Sequence, residues 1–350
     1  MVSRDAALRP WLHDGRMANA EPDEAPLTSV GSLVALFDVA DRVGRARQRM
    51  ALMQTALAAS RAAGGEDVIV VVQRCEVLYR LGWEYAARSD TVKAREAYEE
   101  AVTLGVVVAQ TGEHGLRRRG LAAKAEAMVG LGDLVAARGD VASAQALFEQ
   151  SLALFEEVSR ADPGNTGYRR EIAVGLARLG GLAAARGDVA SAQALFEQSR
   201  ALFEGLSRAD PENTGYRRDV AVGLTRLAGL AAARGDVASA RALYERSQAL
   251  SEEVSRADPE NTGYRRDVAV GLTRLAGLAA ARGDVASARA LYERSQALSE
   301  EVSRADPENT GYRRDVALGL TRLADLAAAR GDVASARALY ERSQALSEEV

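Results

Sequence analysis

The sequence predicts an all-α protein, a solenoid of helical hairpins, and three observations carry that prediction. The string Arg-Gly-Asp-Val-Ala-Ser-Ala recurs with its Asp at Asp140, Asp188, Asp236, Asp284 and Asp332, a period of 48 residues. Within one period the apolar residues follow helical spacing twice, first at Tyr216, Val220, Leu224, Leu227 and Ala231, then at Val237, Ala240, Leu243, Tyr244, Leu250 and Val254. Glycine and proline stand where the helices have to stop, at Gly235 between the two faces and at Asp258-Pro259 after the second. The unit Asp210 to Ala257 is identical to Asp258 to Ala305, and the next differs only at Leu318 and Asp325. A fixed period of this length marks an array whose units bury their apolar faces on one another.

In chain order, residues 1–29, with Pro10, Pro22 and Pro26, read as a flexible tail. Residues 30–66 read as a diverged helical hairpin broken at Gly64-Gly65. The run Val68-Ile69-Val70-Val71-Val72 alone would suit a buried strand, but its register with Tyr216 and the absence of a second strand predict helix. Residues 67–114 and 115–163 form one hairpin each, and 164–350 hold four near-identical repeats, the last without Asp-Pro or a polar capping helix. Gly235 suits the left-handed position past a helix end, Asp236 an N-cap, and Asn261 or Thr262 the cap of the next helix. The five Arg-Gly-Asp tripeptides are thereby explained as turns rather than adhesion signals. The expected helix content exceeds ~70%, with essentially no sheet.

These residues resemble the tetratricopeptide repeat, whose consensus reads W-x2-L-G-x2-Y, then A-x3-F, then P over 34 residues. In the unit centred on Asp188 the match is Leu176-x2-Leu179-Gly180, then Ala192-x3-Phe196, then Pro211, with Leu in the Trp position and Ala183 in the Tyr position. Each helix is longer than in the family by about two turns. Upstream, Leu78, Leu81, Gly82, Asp90, Ala94, Tyr98 and Ala101 fit the template, as do Met128, Leu131, Gly132, Ala144 and Phe148. The resemblance implies a right-handed α-α superhelix whose first helices line a concave groove. It also implies a non-enzymatic scaffold for protein–protein interaction, like repeats in many bacterial signalling and scaffold proteins.

Composition narrows the chemistry. Of 350 residues, 47% are apolar and 27% charged, with 45 basic against 49 acidic, which fits an ordered protein with no concentrated basic face for nucleic acid. No stretch is long and apolar enough for a signal peptide or a membrane span, so a cytoplasmic location without membrane contact is expected. Cys75 is the single cysteine and reads as a small core residue. Neither Lys93 nor Lys124 completes a phosphate loop, His13 lies in the tail, and His114 falls in an expected turn, so no cofactor, metal or catalytic group is expected. Repeated identical units also present the same groups every 48 residues, whereas catalysis needs groups in unequal environments.

Carried over by position, the family's groove falls on Val222, Thr225, Arg226, Gly229, Ala232 and Ala233. Four units place Arg at one equivalent position, Arg178, Arg226, Arg274 and Arg322, with Thr225, Thr273 and Thr321 beside the last three. Packed helices ~8 to 10 Å apart would turn these into a ladder of guanidinium groups. No carboxylate occupies the helical positions next to Arg226, which are Val222, Gly223, Gly229 and Leu230. The expected partner is therefore a protein or peptide, in particular an acidic segment, against the competing reading of Arg satisfied by the adjacent repeat. In the family's carboxylate-clamp versions this position is usually Asn, so a chaperone-tail clamp is not expected. The alternatives are a self-assembling solenoid, a homo-oligomer stacked through an uncapped C-terminal end with Leu323, Leu326, Leu339 and Leu346 partly uncovered, or the regulatory region of a larger bacterial signalling system.

Overall fold

The structure, a computed structural model, describes residues 46–63, 67–307 and 309–348. Helix α1 (Ala46–Ala62) precedes a series of hairpins. These pair α2 (Val68–Ala87) with α3 (Thr91–Val108), α4 (His114–Ala137) with α5 (Val141–Ala161), and α6 (Thr166–Ala185) with α7 (Val189–Ala209). Then come α8 (Thr214–Ala233) with α9 (Val237–Ala257), α10 (Thr262–Ala281) with α11 (Val285–Ala305), and α12 (Thr310–Ala329) with α13 (Val333–Glu348). Helix accounts for 86% of the described residues, which contain no strand. The expected tail, His13 and the first part of the hairpin assigned to 30–66 lie outside the described residues. The Val68–Val72 run is the start of α2, where the Asp67 carboxylate accepts from the Ile69 N–H at 2.8 Å.

Turn chemistry explains the segmentation. Within five hairpins a glycine takes a left-handed conformation, with φ of 85° at Gly139 and 77° to 78° at Gly187, Gly235, Gly283 and Gly331. The following Asp caps the second helix, as when Asp236 accepts from the Ser239 N–H at 3.1 Å. The α2–α3 turn departs from this rule, because Ser89 occupies the glycine position at φ 62°. Between hairpins the cap is the asparagine, not the threonine: Asn261 accepts from Gly263 and Tyr264 at 3.1 and 3.3 Å. His114 is the first residue of α4 rather than part of a turn, since Glu113 already takes the extended N-cap conformation.

The core is built from a small residue against an aromatic ring. A Cβ placed on Gly82, Gly132 or Gly180 would come within 2.4, 2.4 and 2.8 Å of ring carbons of Tyr98, Phe148 and Phe196. Later repeats keep this layer with Ala228 beside Tyr244 and Ala276 beside Tyr292. Each ring also meets the next repeat: Phe196 packs with Leu230, and Tyr292 with Leu326. The apolar layer is thus continuous along the array, as a solenoid requires.

That layer corrects part of the expectation for the last repeat. Leu326 is buried against Tyr292, and Leu323, Leu339 and Leu346 are half-buried, as Leu291 and Leu298 are one repeat earlier. The change falls instead on Tyr340, which is 41% exposed where Tyr292 is 6% exposed, and whose hydroxyl donates to Asp325 at 2.6 Å. Cys75 lies in an apolar cluster with Val71, Val72 and Val108. Among the described residues, no helix is long and apolar enough to cross a membrane.

Candidate functional site

The first helices of successive hairpins are joined by ion pairs that the sequence reading missed. Arg170 on α6 grips Asp219 on α8 with two bonds, Nε to Oδ2 at 2.5 Å and Nη2 to Oδ1 at 3.0 Å. The same fork recurs from Arg218 to Asp267, with Nη2 to Oδ1 at 3.3 Å, and from Arg266 to Asp315, with Nη2 to Oδ1 at 3.2 Å. In each the partners are 49 residues apart, one residue more than the repeat. Burial opposes the Arg218 charge, but the hydrogen bond and charge of Asp267 outweigh it and raise the guanidinium pKa. The signal was present in the segment Tyr216-Arg217-Arg218-Asp219, where each repeat supplies one Arg to the next repeat and one Asp to the previous one.

One end of this row holds a carboxyl pair. Glu126 on α4 and Glu171 on α6 are hydrogen-bonded partners, and Glu171 also accepts from Arg170 Nη1 at 3.1 Å. Burial first, and the Glu171 charge second, push the Glu126 pKa well above its usual range, against the pull of Arg170 and Arg80. Glu171 is also raised by burial, with Arg170 opposing. Such a pair is stable only with a proton between the two carboxyl groups.

Two turns further along the same helices lies the expected arginine row, whose members are not equivalent. Arg178 is paired with Asp133 of α4 at 2.8 Å. Arg226 donates to the Ala177 carbonyl at 2.9 Å; burial, then repulsion from Arg178, lower its pKa to about 10 against the attraction of Asp133. Arg274 is exposed and has no ion pair or hydrogen bond among the described residues. Arg322 is exposed and lies 3.7 Å from Asp325, which occupies the position of Gly229 and Gly277 in the preceding repeats. Adjacent repeats therefore hold Arg178 and Arg226, whereas in the open half of the row Arg274 has no such partner among the described residues and Arg322 faces only Asp325 of its own helix.

The threonines assigned to the groove are engaged by their own hairpins. Thr225, Thr273 and Thr321 meet the hydroxyls of Ser247, Ser295 and Ser343 at 2.8, 2.8 and 2.9 Å, within their own hairpins. Those serines in turn donate to the carbonyls of Ala221, Ala269 and Ala317, so the Thr–Ser pairs fasten the two helices of each hairpin. By the alignment of Leu78-x2-Leu81-Gly82 with Leu176-x2-Leu179-Gly180, Arg80 is a further member of the arginine row. It stacks on the Tyr79 ring, 4.7 Å from the centroid. One turn beyond Arg80, Trp83 is 61% exposed.

Among solved structures, the apo form of RapI aligns over 92% of this chain and 99% of its own, with 12% identity and a TM-score of 0.59. BtubC (BKLC) from P. vanneervenii aligns over 73% of this chain and 90% of its own, with 19% identity and a TM-score of 0.52. The putative kinesin light chain nearly identical TPR-like repeats from Podosopora anserina align over 66% and 97%, with 22% identity and a TM-score of 0.38. The fold is a TPR-like helical repeat. No family model and no curated protein matches it. The TPR-like array departs from the short consensus in its longer helices, which give each first helix room for both the Arg–Asp forks and the arginine row. Among its described residues, no group of three or more His, Cys, Asp or Glu side chains could hold a metal ion.

Proposed function

We propose that this chain is a non-enzymatic scaffold that takes an acidic segment of a protein partner along its first helices, with Arg274 and Arg322 making the charged contacts. The observation that carries the reading is the state of Arg274. Neighbouring arginines are forked to Asp267 and Asp315 or turned onto a backbone carbonyl, whereas Arg274 is exposed without a hydrogen bond or ion pair among the described residues. An Arg offers five donors in a planar fork suited to carboxylates. Arg178 and Arg226 contribute little to such contacts, because Asp133 and the Ala177 carbonyl already hold them.

Fluorescence anisotropy with a labelled Glu-rich peptide tests this reading. Arg274→Ala with Arg322→Ala should weaken binding at least tenfold, Arg178→Ala by less than threefold, and affinity should fall with added salt because exposed charges are screened. Equal losses from both variants, or no salt dependence, would refute the assignment to the open half of the row.

A further inference from the structure

In three consecutive repeats, the Thr that opens a first helix shares a hydrogen bond with the Tyr hydroxyl of the next repeat. Thr166 meets Tyr216 at 2.8 Å, Thr214 meets Tyr264 at 3.2 Å, and Thr262 meets Tyr312 at 3.2 Å. Thr310 occupies the same position on α12, and its partner comes from the other end of the array. The Ser89 hydroxyl lies 2.8 Å away, and the Ala87 carbonyl accepts from Thr310 at 3.5 Å, across 221 and 223 residues of chain.

Because the repeats are identical, the footprint of this contact has internal controls. Thr310 is 8% exposed, whereas Thr214 and Thr262 are half-buried. Asp306, at the C-cap of α11, is 5% exposed, whereas Asp258 is half-buried and Asp210 exposed. One Asp306 carboxylate oxygen is shut away from solvent without a hydrogen bond. The residue arriving from the other side is itself out of rule. Ser89 is the left-handed non-glycine among the described residues and stands where five other hairpins have glycine. A glycine would fit that backbone with less strain but would bring no hydroxyl.

We propose that the α2–α3 turn is a latch that closes the superhelix on itself, seating Ser89 on Thr310 where a following repeat's tyrosine sits elsewhere, and that its release admits bulky partners to the first-helix face. The contact consists of hydroxyls and one carbonyl, groups that exchange readily with water, so it is reversible. The second half of the proposal rests on the acidic-segment reading above; the first half does not.

The test uses the full chain carrying Ser89→Cys and Thr310→Cys, because hydroxyls 2.8 Å apart put the replacing sulfurs within reach of a disulfide. Cys75 stays out of the exchange, being buried with its thiol pushed up to about 12, first by burial. Mild oxidation should give an intramolecular disulfide in the monomer, at least tenfold faster than in a control pair of Ser89→Cys with Thr262→Cys. X-ray scattering should return the same radius of gyration for the oxidised chain as for the unaltered one. A rate no faster than the control, or a larger radius in the unaltered chain, overturns the closure. Ser89→Gly, which relieves the backbone and must still fold, should speed amide exchange in the first turn of α12; unchanged exchange counts against the latch. For the second half, the labelled Glu-rich peptide fused to a folded carrier should associate at least tenfold more slowly with the oxidised chain and recover on reduction. An unchanged rate removes the gating role. Failure of the free peptide to bind even the reduced chain instead removes the acidic-segment reading, leaving the closure to stand on the disulfide.

Discussion

Glu126 and Glu171 hold two carboxyl groups side by side in a half-buried setting, which makes their ionisation sensitive to pH. The sign follows from linkage: with a folded pKa above the usual 4.5, Glu126 takes up a proton on folding as pH rises past the unfolded value, so stability falls through that window. Glu126→Gln keeps the hydrogen bond to Glu171 without needing the proton. It should raise the urea midpoint at neutral pH, and the gain should vanish as pH drops well below 4.5, where the wild-type carboxyl is protonated in both states. A lower midpoint at pH 7 would mean that the Arg80 and Arg170 charges, not the shared proton, hold the pair. None of this was legible in the sequence. Local reading finds neighbours three and four residues away, whereas Glu126, Arg178 and Arg226 find theirs on other helices.

Helix content and helix boundaries were legible, because their causes are local. Gly187 or Gly235 in the left-handed turn, the Asp after it and the Asn before the next helix each act within a few residues. The run Val68-Ile69-Val70-Val71-Val72 settled into helix for the same reason: the 48-residue register outweighed β propensity, and Asp67 supplied the cap. The Arg–Asp forks escaped notice because their spacing only makes sense once neighbouring first helices lie side by side. Glycine placement inside the helices offers a paired test. At Gly132 an added methyl meets the Phe148 ring at 2.4 Å, whereas at Gly181 nothing lies within 4 Å. Gly132→Ala should cost about 1–3 kcal/mol through overpacking, and Gly181→Ala should gain about 0.5–1 kcal/mol of helix propensity. Urea titrations followed by circular dichroism should show midpoints moving in opposite directions; a common direction would contradict the packing described.

The array as a whole has curvature, and curvature is what no single repeat encodes. Ser89 departs from glycine in a turn that meets Thr310, 221 residues away. Because Asp210 to Ala257 and Asp258 to Ala305 are identical, deleting the second leaves every junction unchanged. The shortened chain should fold with unaltered ellipticity per residue, as a quasi-one-dimensional array allows. Yet its Ser89→Cys, Thr310→Cys form should no longer oxidise to an intramolecular disulfide, because the latch residues are one repeat out of phase. Loss of helicity would show that the ring, rather than stacking, sustains the fold. The forks carry a further consequence, one of direction. Every rung runs from an arginine in one repeat to an aspartate in the next, so the array is polar like an arrow, with guanidinium groups leading and carboxylates trailing. Two such arrows pair their charges only nose to tail. A two-fold axis through a stacking face would set arginine against arginine or aspartate against aspartate, so any assembly built on these faces is heterologous in symmetry.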